Sequence, residues 1–240
     1  MDIEEKTLLE VEKLFASVNI CKSHNIEHIK RVKTHTKNAL EHNKNISEKL
    51  KTLVIIAAIL HDNDDKKYFN TTNYENARNI CKLLNLNADD TDLVIMMIKY
   101  VSCSENSNNI PEEAIQMPWI LYPRYSDIID AVDLYGILRA HQYAVTKGDP
   151  LFTDNTPKVN SVDEIWEIAT EARFKNYKGK SVSMIDHYYD KLLFLTKTKC
   201  DNEYFNKEFS KCQNIMYDII LAFSAGKLDN DYIYNKYGKL

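Results

Sequence analysis

The chain has 240 residues, 44% of them hydrophobic, and a formal net charge of −4. That length and hydrophobic share allow a sizeable buried core, and five Gly and five Pro are too few for the many tight turns of a strand-rich fold. The negative balance argues against general binding of nucleic-acid polymers or membrane surfaces.

In chain order, residues 2–19 carry apolar positions at helical period: Leu8, Leu9, Val11, Leu14, Phe15 and Val18. SHNIEHIKRV, residues 23–32, opens a second helix with Ser23 or Asn25 as N-cap, running to about His42. Ser47 or Lys49 starts a third, which holds the unbroken apolar run VIIAAIL and ends at His61. A loop then leads into a helix from about Asn73, and Asp89 or Asp90 caps the next, which reaches about Tyr100. The polar stretch 102–113 reads as a loop, and 124–145 as one continuous helix. After turn signals at 147–150 and 152–160, helical segments are predicted over 161–172, 182–197 and 202–225. No repeat, low-complexity tract or linker separates domains. The expectation is a single all-α domain over 1–240, with a C-terminal helical extension at about 196–240.

The longest apolar run is far short of the ~20 residues that span a bilayer, and the acidic start MDIEEKTLLEVEK lacks the apolar region of a signal peptide. Five cysteines, an odd number without a CxxC pair, argue against a zinc-finger-type site. These features predict a soluble, cytoplasmic protein with reduced thiols.

The apolar third helix ends directly on His61 and Asp62, followed by Asn63, Asp64 and Asp65. Imidazole and carboxylate both bind divalent transition metals, and the end of a core helix would fix them while leaving them accessible. His24 and His28, four apart, share one face of the second helix; His35 and His42 continue the stripe but lie too far along for all four to meet at one ion. Asp127, Asp130 and Asp133 recur at three-residue intervals in an otherwise apolar helix. At ~100° per residue they cannot all aim at one point, and residue types alone do not choose among them.

A His near a helix start, a His-Asp pair ending a buried helix and an Asp on a later helix resemble the HD superfamily of metal-dependent phosphohydrolases, and its small bacterial-type hydrolases most closely. SHNIEHIKRV is similar to that group's S-H-G-x-x-H-x-x-R-V, and HDNDDKKYF to H-D-x-x-D-x-K-[YF]. YVSCSEN, 100–106, is similar to its Ser-rich segment, SDIIDAVDLYGILRA to A-D-R-L-D-A-I-G-A-I-G-I-A-R-A, and HYYDKLLFL, 187–195, to H-F-x-E-K-L-L-x-L. The matches run in order over about 23–195. The resemblance implies His28, His61, Asp62 and Asp127 as metal ligands, with Asp127 chosen over Asp130 and Asp133 by the gapless match. It implies one divalent ion (Mn²⁺, Fe²⁺, Co²⁺ or Ni²⁺, with Mg²⁺ also compatible) and hydrolysis of a phosphate ester or anhydride in a small phosphorylated substrate, expected to be a nucleotide. Asp65 is the candidate for orienting or deprotonating water and Lys67 for touching phosphate. Arg31, Arg124, Asp130 and Lys191 are candidate substrate contacts, and His187 could share a face with Lys191. The chain departs from the pattern at Asn63, where Ile or Val is common, at Ile128, where a base is common, and at Asp133, where Gly is common. The competing expectations are a non-catalytic nucleotide sensor and a helical interaction module with a relict site.

Overall fold

The computed structural model describes residues 2–18, 20, 25–106, 108–198 and 200–238, without the side chains of Cys103, Ser104, Tyr143, Thr146 and Lys147. The described residues form helices and loops, with no strand among them, so the fold is all-α as expected. They divide into two compact units, one of residues 1–130 and 200–205, the other of 131–199 and 206–240.

The first unit is built around one apolar helix. α1 (Ile3–Ala16) starts in a capping box in which Asp2 and Glu5 satisfy each other's backbone N–H. α2 (Ile26–Glu41) is capped by Asn25, and α3 (Glu48–Leu60) by Ser47. Every residue of α3 from Leu53 to Leu60 is buried, because α2, α5 and α1 all pack on it. α4 (Glu75–Leu83) begins after Tyr74, whose φ of 58° lies in the left-handed region. α5 (Ala88–Val101) is capped by Asn87; Asp89 and Asp90, expected as caps, lie in its first turn, where they still complement the helix dipole. The segment expected as a polar loop contains two single turns, α6 (Cys103–Asn106) and α7 (Glu113–Gln116), and a 3₁₀ turn, Pro118–Leu121, leads into α8 (Tyr122–Val132). Residues 200–205 complete this unit. Asn202 Nδ2 donates to Ala39 O at 2.9 Å and to Tyr122 Oη at 3.0 Å, while the Phe205 ring meets those of Tyr122 and Tyr125.

The continuous helix expected over 124–145 is two helices. Asp133 takes an extended conformation and its Oδ1 accepts from Gly136 N at 2.8 Å, so it ends α8 and caps α9 (Leu134–Lys147). In the second unit α10 (Val162–Ile168) and α11 (Glu171–Asn176) replace one expected helix, each with its own Ser or Thr cap. α12 (Met184–His187) continues through a π-helical turn, Tyr188–Leu192, into α13 (Leu193–Thr196). α14 (Glu203–Ser224) follows, and α15 (Asn230–Tyr237) lies within the expected helical extension. Among the described residues no helix is long and apolar enough to cross a membrane.

Candidate metal centre

Three elements of the first unit bring the site together. Asn25 Oδ1 accepts the backbone N–H groups of Glu27 and His28, which fixes His28 in the first turn of α2. The buried body of α3 delivers His61 at its C-terminal cap, with Asp62 next in the turn that follows. α8 supplies Asp127 and, one turn on, Asp130. A buried hydrogen bond from Thr36 Oγ1 to Ser126 Oγ, 2.8 Å, ties α2 to α8 beside them.

The four expected ligands converge. His28 Nε2 lies 3.1 Å from His61 Nε2, 3.4 Å from Asp127 Oδ1 and 3.5 Å from Asp62 Oδ2. His61 Nε2 lies 3.4 Å from Asp62 Oδ1 and 3.6 Å from Asp127 Oδ1. His28, His61 and Asp62 meet the spacing of a metal-binding group by themselves, and Asp127 Oδ1 from α8 lies within 3.4 and 3.6 Å of the two imidazole nitrogens. Both far-side nitrogens face acceptors: His61 Nδ1 is 2.9 Å from Ala58 O, and His28 Nδ1 is 2.7 Å from Asp130 Oδ2. An acceptor at Nδ1 puts the N–H of a neutral imidazole there and leaves the Nε2 lone pair pointing inward. Two imidazole nitrogens and two carboxylates crowded at one point call for positive charge between them, and they offer nitrogen and oxygen donors of the kind divalent cations take.

The electrostatics report the same need for positive charge. Burial on its own would lower the affinity of His28 for a proton. Hydrogen bonds to Asp130 and Asp62, with the charges of Asp127 and Asp62, outweigh it and raise the group to about 10. Burial opposes the charged form of His61 too, but the Asp62 charge and a hydrogen bond donated to Asp127 raise it, against opposition from His28. Asp127, with a third of its side chain exposed, is the open side of the cluster.

The remaining candidates are placed as follows. Asp65 Oδ1 accepts from Lys67 N at 2.9 Å, and its Oδ2 lies 3.6 Å from Lys67 Nζ, so the two form a local pair in the turn after Asp62. Asp64 serves the fold: its two oxygens accept from Asn76 N and Ala77 N, each at 3.0 Å, at the start of α4. Asp130 and Arg31, expected as substrate contacts, bind each other, Asp130 buried and Arg31 with 29% of its side chain exposed. Asp130 is 0% exposed, and Arg31 donates to it through Nε and, at 3.1 Å, through Nη2. Arg124 is also a correction. It is 1% exposed, and its guanidinium donates to the carbonyls of Tyr100 and, at 2.8 Å, Asn109, holding the segment before α8 rather than facing a phosphate. Lys191 belongs to the second unit, where its Nζ lies 5.6 Å from the Tyr177 ring centre and its charge acts on His187. His35 and His42 flank the Tyr204 ring, away from the convergent point, and His24 lies outside the described residues. Asn63 and Ile128 are both core positions. Neither amide atom of the Asn63 side chain has a hydrogen-bond partner among the described residues.

No family model matches the chain. The uncharacterized protein L803 of Acanthamoeba polyphaga mimivirus is 34% identical over 241 residues, an alignment covering 93% of this chain and 97% of that protein. Among solved structures, an HD-superfamily hydrolase from Bacillus thuringiensis superposes with a TM-score of 0.64 at 18% identity, covering 93% of this chain and 95% of that one. A Lactobacillus plantarum protein gives 0.61 at 18% identity over 93% and 94% of the two chains, and a Listeria innocua protein 0.60 at 19% over 95% and 100%. The chain belongs to one family with the mimivirus protein, and its fold is that of the HD superfamily.

Proposed function

We propose that the protein is a divalent-metal-dependent phosphohydrolase that cleaves a phosphate ester or anhydride, with a nucleotide as its substrate class. The observation that carries this reading is the convergence of His28, His61, Asp62 and Asp127 on one point. The mixed nitrogen and oxygen donor set suits Mn²⁺, Fe²⁺, Co²⁺ or Ni²⁺, with Mg²⁺ also compatible. A divalent ion bound there supplies an acidified water and polarises a phosphoryl oxygen.

The chain's own residues divide the remaining work. The core helix α3 holds His61 and Asp62 still, and the α2–α8 contact holds His28 and Asp127. Asp65, on the turn leaving the site, is the group we assign to orienting or deprotonating the water. Lys67, 67% exposed at its side chain, is free to swing to a phosphate because its contact with Asp65 is long and solvated.

The test is a metal-supplemented screen of nucleoside mono-, di- and triphosphates that resolves phosphate from pyrophosphate release. Turnover with at least one of them, abolished by chelation, is expected. Asp65→Asn should keep the metal and slow turnover by roughly 10²–10⁴-fold, the usual contribution of a general base. A metal-loaded protein that binds nucleotide and releases neither product would overturn the hydrolase in favour of a sensor.

A further inference from the structure

We infer that Asp130 and Arg31 are a positioning pair that fixes the tautomer of His28, and so decides whether the site can take a metal ion. The inference rests on the metal reading above.

α2 presents two donors to one buried acceptor. His28 and Arg31, three residues apart, lie on the same side of the helix and both reach Asp130 on α8. Asp130 Oδ2 receives His28 Nδ1 at 2.7 Å and Arg31 Nη2 at 3.1 Å, and Oδ1 receives Arg31 Nε. A carboxylate accepts hydrogen bonds, so its contact holds a proton on Nδ1, and in the neutral imidazole that leaves Nε2 as the nitrogen able to bind a cation. That nitrogen is the one that faces His61, Asp62 and Asp127. A buried carboxylate needs its oxygens met by donors. Arg31 meets both oxygens through two N–H groups, one on each. With Asp130 fully buried, no substrate can touch it. Its influence on the site therefore passes through the imidazole.

Asp130→Asn discriminates this role from a simple clamp between α2 and α8. Both oxygens of Asp130 face N–H donors, so an amide must turn its own NH₂ toward Arg31 or toward His28. The first arrangement opposes donor to donor. The second moves the imidazole proton to Nε2 and blocks the ligand atom. Titration of Mn²⁺ followed by calorimetry should show affinity reduced roughly 10–100-fold, the usual effect of removing such a supporting carboxylate. A second variant, Arg31→Met with Asp130→Leu, removes both charges together, an exchange that commonly preserves stability. It should stay folded by thermal melting and still bind Mn²⁺ 10–100-fold more weakly. Wild-type Mn²⁺ affinity in either folded variant would overturn the positioning role while leaving the metal site intact. Failure of the wild-type protein to bind Mn²⁺ would instead remove the metal reading and this inference with it.

Discussion

Among the described residues each unit holds a part-buried cluster of carboxylates, and the two are opposites. In the second unit Asp186 accepts from Thr156 Oγ1 (2.7 Å), Ser183 Oγ (2.6 Å) and Arg173 Nη2 (2.9 Å), and Asp190 from Arg173 Nε (2.5 Å) and Ser181 Oγ (2.6 Å). Every oxygen of that pair meets a donor from the chain, so the cluster is closed and fastens α11 to the π-helical turn region. In the first unit Asp130 is closed in the same way by Arg31 and His28. Asp62 and Asp127 instead gather around His28 Nε2 and His61 Nε2. The histidines follow suit: His28, among carboxylates, is raised to about 10, whereas burial and the Lys191 charge push His187 down to about 4, against Asp190. The difference teaches that buried acid by itself marks nothing. A site is marked by imidazoles and carboxylates that converge on one point, with an acceptor behind each imidazole.

The sharpest way to break this contrast is to exchange the roles of the clusters. His61→Ala or Asp62→Ala should abolish tight metal binding with the fold kept, read by elemental analysis and circular dichroism. Asp186→Ala should leave metal content unchanged and cost about 1–3 kcal/mol of stability, because it leaves the buried hydroxyls of Thr156 and Ser183 without their acceptor while Arg173 keeps Asp190. Metal retained in both ligand variants would mean that the first cluster is as closed as the second.

Within one stretch of chain the same contrast separates Asp127 from Asp133. Asp127→Ala should sharply lower metal occupancy. Asp133→Ala should leave it unchanged and lower stability by about 1 kcal/mol, the usual loss at an N-cap, seen by chemical denaturation. The reverse pattern would place the convergent point nearly two turns away.

The second unit should carry its own acid sensitivity. His187 is held below the ordinary value of 6.5, so between pH 6.5 and about 4 the unfolded chain binds a proton that the folded chain refuses. Stability is therefore full above 6.5 and falls as the pH drops towards 4, by about 1–3 kcal/mol for a group of this burial. His187→Gln should flatten that part of the stability–pH curve. An unchanged slope would show that the imidazole is protonated in the fold.

The smallest expected effect is at Asn63, a buried amide beside the ligands. Asn63→Val should raise stability by about 1 kcal/mol by removing polar atoms that find no partner among the described residues. A lower melting temperature would show that the amide is satisfied in solution.

His28, His61 and Asp62 stand out because they sit at helix ends the sequence itself marks, Asn25 before His28 and the end of an apolar run at His61, whereas Asp127 is singled out from Asp130 and Asp133 only by the family resemblance. What was illegible depended on distant partners. Asp130 reads as a polar residue on an amphipathic helix, and only the fold brings it to Arg31, 99 residues earlier. Arg124 reads as a base near an acidic ligand, yet its partners are carbonyls 15 and 24 residues before it. The break at Asp133 was hidden because the apolar pattern runs on through it. The one local clue was Gly136, three residues later, whose N–H the Asp133 side chain takes.

The central claim is that His28, His61, Asp62 and Asp127 enclose one cation. A crystal grown with Mn²⁺ and measured for anomalous scattering tests it most directly. The account predicts a single strong peak bounded by His28 Nε2, His61 Nε2, Asp62 and Asp127, with Asp130 still bound to Arg31 behind it. A peak at Asp186 and Asp190, or none between the two histidines with Mn²⁺ in excess, would contradict it.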